Sequence, residues 1–244
     1  MIENTSSDTE IAGFLSDVAQ NAHRDAELAA KLAVVLAESG KILRRLNSEA
    51  SDVASTGGPS SLSTLLCPLF LRAGGLEVPK LGVPGRPAGG IDCLAQIAGY
   101  RTELDDSELE AVMNRAGYAH FLSSGRFAPL DARVFRLRQE YGFQEVPTLV
   151  AASLLAKKIA VGLTTAGLDI RVAAHGNFGR TVSEGQENAQ MFARAAELVG
   201  IVGRPVLTDG SSPYQPYIGR KEALAALADV FSETAGAWLL EHLE

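Results

Sequence analysis

Between residues 11 and 46 apolar side chains recur every three or four positions (Ile11, Phe14, Leu15 and Val18, then Leu28, Leu32, Val35 and Leu36), with a polar break around residues 20–25. That spacing lines one face of a helix, so two amphipathic helices are predicted. Residues 47–63 turn to Ser, Gly and Pro and read as a loop, followed by an apolar run over 65–71 that ends at Gly74-Gly75 and reads as a buried helix. A second Gly- and Pro-rich stretch, 78–90, reads as another loop leading into a helix over 91–97. Further helices are predicted at 106–116, 149–163, 184–199 and 220–243, and short strands at 118–122, 168–173 and 204–207. Short strands alternating with helices argue for an α/β sheet protein.

With 244 residues and 46% hydrophobic content, the chain can bury the core of one α/β unit carrying a small helical annex. A formal net charge of −7 offers no basic field for a polyanion, which makes nucleic acid a poor partner. No apolar run approaches the roughly 20 residues that cross a bilayer, and residues 1–10 are polar and acidic rather than signal-like, so a cytoplasmic protein without a membrane partner is expected. Cys67 and Cys93 lack CxxC spacing and read as buried thiols rather than a disulfide or a zinc site. The chain displays no carboxylate pair and no metal-ligand spacing, so no metal is expected.

The stretch Ser55-Thr56-Gly57-Gly58, with Ser63 and Thr64 following, packs hydroxyls around two glycines just before a helix. Backbone amides, hydroxyls and the helix N-terminus can converge there on an anion such as phosphate. A plain Ser/Gly turn with a helix cap is the competing local reading. Asp92 and Asp209 read as cap or turn residues, and His120 and His175 as packing or hydrogen-bonding residues on or beside strands.

Taken in order, Asp52-x-x-Ser55-Thr56-Gly57-Gly58, the run ending Ala73-Gly74-Gly75, Val78-Pro79 and Gly89-Gly90-Ile91-Asp92 form one block. Ala128-Pro129-x-Asp131, Arg138 and Ala151-Ala152-Ser153-x-Leu155-Ala156-Lys157-Lys158 form a second. Both resemble the thymidine and pyrimidine-nucleoside phosphorylases, over roughly residues 28–227. The resemblance implies a nucleoside phosphorylase/phosphoribosyltransferase-like α/β fold. Its helical subdomain is expected at 1–48, completed by about 130–163, and its phosphate-binding α/β domain at 49–129 and 164–244. It further implies a homodimer through the helical subdomain, and reversible phosphorolysis of pyrimidine nucleosides to base and pentose 1-phosphate. Inorganic phosphate would be the co-substrate, with no cofactor.

By motif register, Arg138, Ser153 and Lys157 would hold the pyrimidine. Arg138 and Lys157 would stabilise the negative charge that grows on the departing base. Ser55, Thr56, Gly57, Gly58, Ser63 and Thr64 would hold phosphate. Val53 and Ala54 stand where that family has a lysine and a histidine, which leaves Lys80 and Arg86 as substitute cations. The family pattern also extends beyond both ends of this match. Two alternatives stay open: a non-catalytic or altered-specificity pyrimidine-binding homologue, and a phosphoribosyltransferase-like enzyme.

Overall fold

A computed structural model describes residues 2–43, 49–56, 61–85, 89–123, 125–176 and 178–243. The order is α1 (Asp8–Asn21), α2 (Ala26–Glu38), β1 (Ser51–Ser55), α3 (Ser63–Ala73), β2 (Val78–Gly82), α4 (Gly90–Leu94), α5 (Asp106–Ala116) and β3 (Tyr118–Leu122). There follow α6 (Pro129–Tyr141), α7 (Pro147–Ala160), β4 (Thr165–Val172), α8 (Val182–Leu198), β5 (Val202–Asp209), α9 (Arg220–Phe231) and α10 (Ala237–Leu243). Local chemistry sets several helix starts. A Ser7/Glu10 capping box opens α1, the Asp25 carboxylate accepts the Leu28 N–H at α2, and prolines begin α6 and α7, where a missing N–H costs nothing.

Among the described residues, all strand pairing is parallel. One sheet runs β1-β4-β5 and the other β2-β3, with an isolated bridge between Ala50 and Glu77 bringing β1 alongside β2. The protein is thus an α/β fold of parallel sheets flanked by helices. Ala166, Leu168 and Ile170 of β4 share a core with Phe192 and Ala195 of α8 and with Ala29, Ala33, Ala151 and Leu155 of α2 and α7. A second core joins α1, α2, α6 and α7 through Leu15, Leu32, Leu36, Val134 and Leu149. Leu32 and Leu36 of α2 are fully buried in this second core. Among the described residues, no helix is long and apolar enough to cross a membrane.

Three sequence expectations need correction. Strand β1 lies inside the stretch expected to be a loop, because parallel pairing with β4 outweighs the turn-forming composition of its neighbours. Strand β2 lies inside the second expected loop. The Val78 N–H donates to Gly117 O, so the next backbone nitrogen, that of Pro79, faces away from β3 and its missing proton breaks no ladder bond. The helix expected over 220–243 is two helices, parted where Glu233 takes φ 57°, a left-handed conformation that no helix interior holds.

Candidate functional site

A cavity of about 230 Å³ opens where the ends of β1 and β2 meet α7. One wall carries Ser55 and Thr56 from the end of β1, Thr64 from α3, Lys80 from β2, Gly90 from α4 and His120 from β3. The facing wall carries Phe135 and Arg138 from α6, and Ser153, Lys157 and Lys158 from α7.

On the α6/α7 wall, the Lys157 ammonium donates to Asp131 Oδ2 at 2.5 Å, Ser153 O at 2.9 Å and Ser153 Oγ at 3.0 Å. Residues four apart on a helix share a face, which is why Ser153 and Lys157 meet. Asp131 keeps its other oxygen, Oδ1, buried without a hydrogen bond. The Arg138 guanidinium donates to Phe143 O at 3.3 Å, Leu149 O at 3.2 Å and Gln144 O at 2.7 Å. It therefore clamps the turn between α6 and α7 while presenting its charge to the cavity.

Between the walls lies a buried ionic knot. Asp52, 1% exposed, accepts from Lys80 at 2.6 Å on Oδ1 and from Lys158 on Oδ2; Lys80 also donates to Val53 O at 2.6 Å. Burial raises the Asp52 pKa, but the charges and hydrogen bonds of Lys158 and Lys80 outweigh it and hold the carboxyl at about 2. Burial pulls the Lys80 pKa down against the attraction of Asp52. Among the described residues, four lining cations (Lys80, Arg138, Lys157, Lys158) outnumber the three carboxylates bonded to lining side chains (Asp52, Asp131, Asp169), so this neighbourhood is net positive in a net negative protein.

Behind β1 lies a second knot. Asp169 Oδ2 accepts from Ser55 at 2.9 Å, Ser61 at 3.0 Å and Ser63 at 2.7 Å, and Oδ1 accepts from Thr208 at 2.5 Å. Arg171, two residues on, lies close enough for its charge to feel Asp169.

Of the residues singled out in the sequence, the structure brings Ser55, Thr56, Thr64, Lys80, Arg138, Ser153 and Lys157 around one cavity. Ser63 is not among them. Its proton goes to Asp169, and it lines a separate, largely apolar cavity of about 540 Å³ between α3 and strands β4 and β5. Val53 faces that second cavity too. Gly57, Gly58 and Arg86 lie outside the described residues. Asp209 accepts the Ser211 N–H at 2.8 Å, as a turn residue does, and Asp92 accepts the Gly85 N–H at 2.9 Å. Sequence reasoning missed Lys158, Asp131, His120 and the pairing role of Asp52. A signal for the first lay in the Lys157-Lys158 doublet: neighbours on a helix point about 100° apart, near enough for both to border one cavity.

No protein-family model matches the chain. Over 184 residues, 72% of its length, it is 33% identical to the pyrimidine-nucleoside phosphorylase of Bacillus subtilis (strain 168). Over 206 residues, 81% of its length, it is 29% identical to the pyrimidine-nucleoside phosphorylase of Staphylococcus haemolyticus. The chain spans less than half the length of these curated relatives, 42% and 47%. Among solved structures it is similar to anthranilate phosphoribosyltransferase from Saccharomyces cerevisiae in complex with PRPP and Mg, with a TM-score of 0.59 and 18% identity, covering 84% of this chain and 55% of that one. That last likeness is one of fold alone. By its sequence, the chain belongs to the pyrimidine-nucleoside phosphorylase family as a diverged member.

Proposed function

We propose that the chain binds a pyrimidine nucleoside in the 230 Å³ cavity and reversibly transfers its pentosyl group to inorganic phosphate, giving free base and pentose 1-phosphate. The observation that carries this reading is the pairing of walls: Arg138, Ser153 and Lys157 on one side, Ser55, Thr56, Thr64 and Lys80 on the other, with space between them for a pentose. In the reaction the bond from the sugar to the base nitrogen breaks and its electron pair leaves with the base. A phosphate oxygen forms the new bond to the same sugar carbon. Negative charge grows on the base, where the Lys157 ammonium and the Arg138 guanidinium lower its energy. The chemistry as written needs no organic cofactor and no metal.

A measurement on the full chain tests this. Uridine or thymidine is expected to release its base only when phosphate is present, with pentose 1-phosphate formed in equal amount. Absence of base release under all phosphate concentrations would remove the enzymatic reading. A second reading, a pyrimidine-binding homologue without turnover, is favoured by one observation: Lys157, Lys80 and Ser55 already donate to internal acceptors. Calorimetric binding of nucleoside without product formation is its signature.

A further inference from the structure

His120 stands opposite Lys80 in the parallel register of β3 and β2, so both side chains rise from the same face of that small sheet. Its ring lines the cavity, yet the residue is only 3% exposed and Nδ1 is buried without a hydrogen-bond partner. The Tyr100 hydroxyl donates to the His120 backbone carbonyl at 2.8 Å, which anchors the strand and leaves the ring nitrogen unsatisfied. A purely structural position would do better with an apolar ring of the same shape, because a buried unpaired polar atom loses water and gains nothing.

Its surroundings fix what the ring can offer. A Cβ on Gly90 would lie 2.7 Å from His120 Cε1 and 2.9 Å from Thr64 Oγ1, so the bare α-carbon at position 90 is what lets imidazole and hydroxyl stand side by side. Lys80 from β2, Lys158 from α7 and Asp52 from β1 are the charged groups that act on the ring. Burial first, then repulsion by Lys80, push its pKa down to about 3, leaving a neutral imidazole with one N–H to donate.

We propose that His120 is a ligand-contact residue at the phosphate end of the cavity. The imidazole, which lines the cavity, donates a ring N–H to a phosphate oxygen beside the Thr64 hydroxyl, in the neighbourhood that Gly90 keeps open. This rests on the pentosyl-transfer reading and adds a neutral donor to an end where both lysines are already tied to Asp52.

Calorimetry on the full chain tests it with two probes, inorganic phosphate and uracil. His120→Phe keeps the ring shape and is expected to weaken phosphate about 10- to 100-fold while changing uracil less than about twofold. His120→Gln, whose amide nitrogen stands near the position of Nε2, is expected to recover part of that loss. Gly90→Ala, which drives a methyl group into the ring, is expected to weaken phosphate in the same sense and keeps the test decisive should the His120→Phe chain fail to fold. Unchanged phosphate affinity in His120→Phe and Gly90→Ala overturns the assignment, as does an equal loss for both probes. Wild-type protein that binds uracil but not phosphate also overturns it. Wild-type protein that binds neither sinks the pentosyl-transfer reading itself.

Discussion

Two buried carboxylates on neighbouring strands are satisfied in opposite ways. Asp52 on β1 takes two ammonium groups, whereas Asp169 on β4 takes four hydroxyls. The lysine knot carries one positive charge more than it neutralises and passes it to the cavity. The hydroxyl knot neutralises nothing and keeps its negative charge, with Arg171 nearby. An approaching anion is thus drawn to the Lys80 and Lys158 side and gains little on the side where hydroxyls are most numerous. A hydroxyl has a single proton, and that of Ser55 is already given to Asp169. To bind phosphate, Ser55 must turn that proton away, which is affordable because Ser61 and Ser63 still serve the same carboxylate oxygen. Richness in hydroxyls is therefore a weaker sign of a phosphate site than the identity of the acceptor those hydroxyls already have.

The sharpest way to break the contrast is to neutralise each carboxylate in turn. Asp52→Asn leaves two buried ammonium groups without a counter-charge and is expected to cost about 3–5 kcal/mol in urea denaturation. Asp169→Asn removes a charge that four hydroxyls had solvated with Arg171 nearby, and an expected cost of about 1–3 kcal/mol follows from mispaired donors. Equal losses would mean that the two knots are energetically alike.

Acid titration separates the regions next. His120, beside the lysine knot, has a folded pKa lowered from 6.5 to about 3, so the unfolded chain binds its proton first. Its contribution is fully present above pH 6.5 and is lost as pH falls toward 3, about 3 kcal/mol between pH 7 and pH 4. Asp52, lowered from 3.8 to about 2, contributes above pH 3.8 and fades only as pH falls through 2. Stability measured from pH 7 to pH 4 should flatten in His120→Phe; an unchanged slope would place the proton uptake elsewhere.

The smallest effect expected is that of Ser55→Ala. One of several donors to Asp169 disappears, at about 0.5–1.5 kcal/mol, and phosphate affinity falls by less than it does in His120→Phe. A larger fall than that would return the anion site to the hydroxyl side.

What was legible in the sequence divides along the same physical line. Helices with a periodic apolar face, such as α1, α2, α5 and α8, and the strand Tyr118–Leu122 could be read because their burial is written in local spacing. Strands β1 and β2 could not, since Asp52 and Lys80 look solvated until each is seen to be the other's partner across 28 positions. Around the cavity, Arg138, Ser153 and Lys157 were found through motif register, whereas Ser55, Thr56 and Thr64 already stood out by local composition. His120 was read as a packing residue because nothing near it in the chain announces that Gly90 and Thr64 border its ring.

The apolar cavity between α3 and the open face of β4 and β5 has a practical corollary. Phe70 and Val206 at its rim are 60% and 59% exposed, with Leu66 beneath. Environment-sensitive dyes such as ANS seek that kind of surface, and their fluorescence is commonly taken as a mark of loosened tertiary packing. For this protein the folded state itself is expected to light the dye. A dye-monitored melt would start from a raised baseline and understate the cooperativity of unfolding, whereas near-ultraviolet circular dichroism would report it correctly.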